Sequence, residues 1–325
     1  MKAFPNNPVQ AEKAMLDQAL FFHQNGNMAE AESAYRKLVG MKARIPAVYL
    51  NYANLLYQTQ RLPQAIAICR QGAAMYPDIP EIHHSLAVFY AEQNKPSEAV
   101  ERLRSAIALN PRFAEAHFLL GMQLKKIGKL NEAISSFHQV IVINPNVLEA
   151  YFNLGNTLAL VGKFDEAIDH YQRALALDPE HIEVKFNLGN ALLNLGKIDQ
   201  AIAIFQGVIA VMPEFATAHL NLGNAFLAAK DYDKAVDSYR TALEFNPDKA
   251  EILLNLGTAL RNKGEIEAAI EVYQGIIKTN KNFKEAYDNL GNLYLAQGEH
   301  QKGLESIRKG SGFVRFQVAK GYAVL

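Results

Sequence analysis

Small apolar residues recur along this chain on a fixed beat. Alanine stands at Ala31, Ala65, Ala99, Ala133, Ala167, Ala201, Ala235 and Ala269, Gly303 takes the next place, and every step is 34 residues. A second row runs Ala19, Ala53, Ala87, Gly121, Gly155, Gly189, Gly223, Gly257 and Gly291. Large apolar residues keep the same interval, at Leu86, Leu120, Leu154, Leu188, Leu222, Leu256 and Leu290, and again at Phe137, Tyr171, Phe205, Tyr239 and Tyr273. Within one interval the apolar positions fall three or four apart: Leu154, Leu158 and Val161, then Ile168, Tyr171 and Leu175. That spacing predicts two amphipathic helices per interval. The turn between them, as in Gly162-Lys163-Phe164-Asp165, carries a glycine suited to ending a helix in the left-handed conformation. Proline at Pro77, Pro111, Pro145, Pro179, Pro213 and Pro247 stops the second helix and turns the chain into the next copy. The Gly and Ala rows let two helices approach closely while larger side chains fill the space around them.

A helix pair repeated every 34 residues resembles the tetratricopeptide repeat (TPR) family, and the resemblance spans about residues 12–309. It implies an all-α fold: a right-handed superhelical solenoid of about nine helix-turn-helix repeats starting near residues 12, 46, 80, 114, 148, 182, 216, 250 and 284. An N-terminal extension (1–11) and a non-helical C-terminal tail (310–325) flank it. Copies from 114 to about 283 keep close to the family pattern. Earlier copies depart from it: Gln18 and Tyr52 stand where leucine is usual, and Cys69 and Leu103 where an aromatic is usual. Terminal repeats are often atypical because one side faces solvent. Three such copies exceed what capping needs, which leaves room for a ligand to account for part of the divergence. The tail is rich in strand formers, with Ala319-Lys320-Gly321 as its expected turn. It reads as a strand or hairpin covering the end of the stack, as the stump of a further domain, or as a docking or self-association segment.

The resemblance also implies that the first helices line a concave face. Two rows of asparagine then point into the groove: Asn51, Asn153, Asn187, Asn221, Asn255 and Asn289, and, three positions on, Asn54, Asn156, Asn190, Asn224 and Asn292. Residues three apart share a helix face. Asparagine is a poor helix former, so propensity does not explain these positions. Its amide both donates and accepts. Such a ladder either pairs with the backbone of an extended peptide or links neighbouring repeats and fixes their stacking. It is similar to the asparagine ladder in the repeat arm of the O-linked N-acetylglucosamine transferases, which favours peptide binding without implying a catalytic domain. The ladder is interrupted at Ser85 with Val88 and at Leu119 with Met122, beside His84 and Phe118. His84, Val88, Phe118, Leu119 and Met122 read either as an apolar pocket for one anchoring side chain or as filling between helices. A row of Glu81, Glu115, Glu149, Glu183, Glu251 and Glu285 occupies first turns, where acids oppose the helix dipole. The groove is thus expected to be neutral to mildly acidic and its partner a neutral or basic, extended peptide.

Composition narrows the function further. Lys plus Arg equals Asp plus Glu at 33 each, so no overall field steers the chain to nucleic acid. A single cysteine, Cys69, gives no internal disulfide framework and fits a reducing compartment. The N-terminal residues carry no long apolar run, so neither a secretory signal nor membrane insertion is expected, and the expected location is the cytoplasm. No phosphate loop, dinucleotide fingerprint or metal-spaced cluster occurs. His83, His117 and His219 sit where an aromatic usually packs and read as structural, and the adjacent pair His83-His84 faces two ways. The expectation is a scaffold that binds another protein, with no enzyme activity, cofactor, metal or nucleic acid. The alternatives are a self-assembling adaptor, joined through the tail or end repeats, and the recruiting arm of a larger enzyme such as a glycosyltransferase.

Overall fold

The structure, a computed structural model, describes residues 8–246 and 249–312, together with the backbone of 314–315 and 323–324. The described residues form eighteen α-helices in nine consecutive pairs. The pairs are Pro8–Gln24 (α1) with Met28–Gly40 (α2), Pro46–Gln58 (α3) with Leu62–Met75 (α4), Pro80–Glu92 (α5) with Pro96–Leu109 (α6), Ala114–Lys126 (α7) with Leu130–Ile143 (α8), and Leu148–Leu160 (α9) with Phe164–Leu177 (α10). They continue as Ile182–Asn194 (α11) with Ile198–Val211 (α12), Ala216–Ala228 (α13) with Tyr232–Phe245 (α14), Ala250–Lys263 (α15) with Ile266–Thr279 (α16), and Lys284–Ala296 (α17) with His300–Lys309 (α18). Helix α1 starts at Pro8, earlier than the 34-residue register alone suggests. After α18, Val314–Arg315 (β1) pairs antiparallel with Ala323–Val324 (β2), Val314 opposite Val324 and Arg315 opposite Ala323. The expected turn at Ala319-Lys320-Gly321, the proline at Pro247 and residues 1–7 of the expected N-terminal extension lie outside the described residues.

The chain divides into two compact units, one through Gly162 and one from Lys163. In each, a helix packs on the one before it and the one after it. First helices of successive repeats also touch: α1 with α3, α3 with α5 and α5 with α7 in the first unit, α11 with α13 and α13 with α15 in the second. Second helices of successive repeats make weaker contact or none. The first helices therefore lie on the tighter, inner side of each stack.

Pairing within a repeat depends on the small-residue row. A Cβ added to Gly121 would sit 2.7 Å from the Phe137 ring, one on Gly189 2.7 Å from Phe205, one on Gly223 2.5 Å from Tyr239, and one on Gly257 2.6 Å from Tyr273. Those distances are far inside van der Waals contact, so the ring of the second helix rests directly on the backbone of the first. In the second and third repeats the same register carries Ala53 with Cys69 and Ala87 with Leu103. The extra methyl there accompanies a smaller partner, which gives Cys69 and Leu103 a packing reason, whereas the first repeat keeps Tyr35 opposite Ala19. Cys69 is fully buried and donates to the Ile82 carbonyl at 3.4 Å. Tyr52 stacks on Tyr35 with centroids 5.9 Å apart.

The turn inside each repeat has one geometry throughout. Gly26, Gln60, Asn94, Gly128, Gly162, Gly196, Lys230, Gly264 and Gly298, spaced by one repeat, all have positive φ. In eight of these turns the next residue's N–H bonds five residues back, as Lys197 to Leu192 O (2.9 Å) and Asp231 to Phe226 O (3.0 Å). This closes the first helix in a Schellman motif. Between repeats, Asn110, Asn144, Asp178 and Asn280 accept the N–H two residues on at 3.1 Å, an Asx turn that ends the second helix.

Two substitutions test these constraints. Gly223→Ala drives a methyl into the Tyr239 ring and is expected to cost about 1–3 kcal/mol. Lys230→Gly relieves a left-handed penalty of about 1–2 kcal/mol, partly offset by the backbone entropy glycine loses on folding. A net gain of about 0.5–1 kcal/mol is expected. Urea midpoints followed by circular dichroism measure both, and an unmoved midpoint in either variant contradicts the constraint it probes.

Candidate functional site

The inner helices present the asparagine rows. Asn51, Asn54, Asn153, Asn156, Asn187, Asn190, Asn221, Asn224, Asn255, Asn289 and Asn292 are all half-buried, with neither full exposure nor full enclosure. Burial alternates around them because Leu188, Gly189, Leu222 and Gly223 in the same helices face the interior. A half-buried amide on an inner helix has reach both to its neighbours and to solvent.

In the second unit the amides form a chain. Asn221 Nδ2 donates to Asn190 Oδ1 at 2.6 Å, Asn224 Nδ2 to Asn221 Oδ1 at 3.5 Å, and Asn255 Nδ2 to Asn224 Oδ1 at 3.0 Å. The chain links α11, α13 and α15. Tyr239 OH, from α14, donates to Asn224 Oδ1 at 2.8 Å. One repeat later threonine replaces asparagine at this position: Thr258 Oγ1 meets Tyr273 OH at 3.2 Å and donates to the Leu254 carbonyl at 3.0 Å. Spacing marks Tyr239 as a phased apolar position and says nothing of its hydroxyl contact, and it does not mark Thr258. The signal available was a tyrosine, rather than phenylalanine, fifteen residues after the second row.

In the first unit the ladder is used differently. Asn153 Nδ2 donates to the Glu149 carbonyl of its own helix at 2.9 Å, and Asn153 Oδ1 accepts from Lys125 Nζ at 3.1 Å. Burial pulls the Lys125 ammonium below its usual pKa. Lys125 thus sits where the ladder meets its interruption. Asn51, Asn54, Asn289 and Asn292 make no side-chain hydrogen bond to another described residue.

At the interruption, His84, Val88, Phe118, Leu119 and Met122 are each half-buried. His84 packs on Phe113 with centroids 4.9 Å apart, and Phe118 sits edge-on to Phe137 at 5.7 Å. Phe118 also lines a cavity of about 320 Å³ with Val140 and Val147, rimmed by Glu115 and Glu149. The two rings therefore engage packing between helices, and the cavity gathers Phe118 with residues other than the remaining four. The first-turn row Glu81, Glu115, Glu149, Glu183, Glu251 and Glu285 is exposed throughout.

Three other histidines repeat one contact. Nε2 of His83, His117 and His219 meets the carbonyl of Pro77, Pro111 and Pro213 at 2.8, 3.0 and 2.8 Å. A carbonyl only accepts, so Nε2 carries the proton and pins the turn between repeats. Burial pushes the Cys69 thiol up to about 12, far from a reactive thiolate. Among the described residues no group of three His, Cys, Asp or Glu gathers to hold a metal, and no helix is long and apolar enough to cross a membrane.

Tetratricopeptide repeat models match residues 22–88, 114–147, 148–181, 186–250 and 226–293, and a TPR repeat model matches 89–128. The chain belongs to the tetratricopeptide repeat family. As a TPR protein it is similar to the MamA protein, with 27% identity and a TM-score of 0.50 over 53% of this chain and 94% of that one. It is also similar to YrrB, described as a TPR protein with an unusual peptide-binding site, with 22% identity and a TM-score of 0.53 over 57% of this chain and 95% of that one. The C-terminal part of a TPR repeat-containing protein from Cytophaga hutchinsonii shares its fold over 74% of this chain and 98% of that one, at 20% identity and a TM-score of 0.63. No curated protein matches the sequence.

His84 gives this TPR chain a pH dependence. Burial is the main cause holding its pKa below the ordinary 6.5, and Glu115 and Glu81 partly offset it. The unfolded chain therefore takes up the proton first as pH falls. The contribution is complete above the unfolded value and is lost as pH drops below it. Between about pH 7.5 and about pH 5 the urea midpoint of His84→Gln is expected to fall less than that of the unaltered protein. Identical falls would remove His84 as a source.

Proposed function

We propose that this protein is an interaction scaffold that binds a neutral or basic, extended peptide segment of another protein along the asparagine-bearing face of its first helices. The observation that carries the reading is the amide chain Asn190–Asn221–Asn224–Asn255. Each primary amide has two N–H donors and two acceptor lone pairs, and the links between repeats engage only part of that capacity. The remainder, on half-buried side chains at a regular interval, suits the regular donors and acceptors of a peptide backbone. Such pairing is worth about 0.5–1.5 kcal/mol per bond and tolerates varied side chains. In the first unit, His84 with the apolar residues Val88, Phe118, Leu119 and Met122 supplies a place where side chains are distinguished. The exposed first-turn glutamates disfavour an acidic partner. Family membership supports the scaffold reading, and nothing positive supports catalysis.

The test is to replace Asn187, Asn221 and Asn255 together by Ala and compare partner capture from a cell extract with the unaltered protein. Captured protein is expected to fall about tenfold, the loss of one to three hydrogen bonds. Circular dichroism must show the helices intact, because Asn221 and Asn255 also link repeats. Unchanged capture by a folded triple variant would rule out the asparagine face.

A further inference from the structure

At Asn224 the amide is held by a tyrosine as well as by its neighbours in the ladder. Tyr239 is fully buried, and its ring rests on Gly223 with no room to move. Burial drives its phenol pKa upward, so the hydroxyl keeps its proton at every physiological pH. That proton needs an acceptor inside the protein, because leaving a buried donor unsatisfied is costly. The acceptor it reaches is Asn224 Oδ1, at 2.8 Å. The contact fixes which end of the Asn224 amide is oxygen. Asn255 Nδ2 then occupies the second lone pair of the same oxygen, at 3.0 Å. Asn224 Oδ1 is saturated. Its Nδ2 spends at most one N–H, on a long 3.5 Å contact with Asn221 Oδ1.

We infer that Asn224 is a donor-only position, locked by Tyr239, and that it takes an acceptor oxygen of the ligand: a backbone carbonyl of an extended peptide. Asn221 and Asn255 each keep an acceptor lone pair and accommodate N–H or C=O. Asn224 does not, and so it sets the register in which a peptide lies along the second unit. Tyr239 is the positioning residue. This inference rests on the peptide-binding reading above and adds which peptide atom is read at which residue.

The test uses two soluble probes, each about twelve residues long, enough to span several repeats. One is an oligomer of N-methylglycine, which has carbonyl oxygens and no backbone N–H. The other is an alternating Gly-Ser peptide, which has both. Side-chain amide signals of the full chain are followed by NMR as each probe is added. The N-methylglycine oligomer is expected to shift the Asn224 signals and to bind as well as the Gly-Ser peptide within about twofold. Asn224→Asp keeps an oxygen for Tyr239 and Asn255, removes the donor and adds a carboxylate charge, which repels a ligand carbonyl and not a ligand N–H. It is expected to weaken the N-methylglycine oligomer about tenfold while its melting temperature stays close to that of the unaltered protein. Tyr239→Phe keeps the ring on Gly223, frees the amide to turn, and is expected to raise the preference for the Gly-Ser peptide. Binding of the Gly-Ser peptide alone, or full binding of the N-methylglycine oligomer by folded Asn224→Asp, overturns the donor assignment and leaves the peptide-binding reading standing. Binding of neither probe to the unaltered protein overturns both. Should Asn224→Asp fail to fold, the comparison of the two probes on the unaltered protein still decides.

Discussion

The contact between a backbone glycine on the first helix and a ring on the second governs the rest of the structure. A Cβ at Gly223 would lie 2.5 Å from Tyr239, so the ring has one place to be. Native packing density leaves little slack for such a residue. Once the ring is placed, so is its para substituent. In Tyr239 and Tyr273 that substituent is a hydroxyl, and it arrives at the inner-face residue fifteen positions back, Asn224 or Thr258. In Phe137 and Phe205 it is a hydrogen, and the residues at the same offset are Met122 and Asn190. A packing requirement in the interior thereby decides what an inner-face side chain has left to offer.

A second constraint is carried by the backbone alone. All nine turns inside the repeats place one residue at positive φ, whether it is Gly162, Asn94, Gln60 or Lys230. The side chain there contributes nothing that the turn needs. Holding two antiparallel helices at one spacing demands the same chain reversal each time, and the Schellman bond delivers it. Glycine satisfies that demand at least strain, and the other residues show that the stack imposes the conformation even where the local residue resists it.

The helix pairs, their turns and the small-residue rows were legible in the sequence because each is a constraint internal to one repeat. Nine copies write it nine times. Tyr52, Cys69 and Leu103 looked like divergence, and Ala53 and Ala87 opposite the last two carry a compensation that only the pairing register makes visible. The start of α1 at Pro8 falls outside any repeated pattern, so the beat gave no sign of it. The candidate site was less legible for a related reason. Its rows are visible as spacing, but partners such as Asn221 with Asn190 lie 31 residues apart, and that pairing depends on how one inner helix stands over the next. The same holds for Lys125 on Asn153, and for His84 on Phe113. No periodicity in the chain reports which lone pair is occupied.

The stacking and ligand readings of the asparagine ladder are compatible, and the arithmetic of the amide shows why. Asn221 gives one N–H to Asn190 and receives one from Asn224. Of two donors and two lone pairs, one of each remains. A free asparagine on a helix surface would lose side-chain freedom on binding, at about 0.5–1.5 kcal/mol for each immobilised side chain. That loss would cancel most of the gain from one neutral hydrogen bond, about 0.5–1.5 kcal/mol. An amide already held by its neighbours has met this cost in folding. Contacts between repeats are therefore what makes a weak, sequence-tolerant backbone contact worth forming. By the same reasoning Asn51, Asn54, Asn289 and Asn292, which have no such partners among the described residues, would contribute less per residue to a bound peptide than the linked four, although all are half-buried on the same kind of helix.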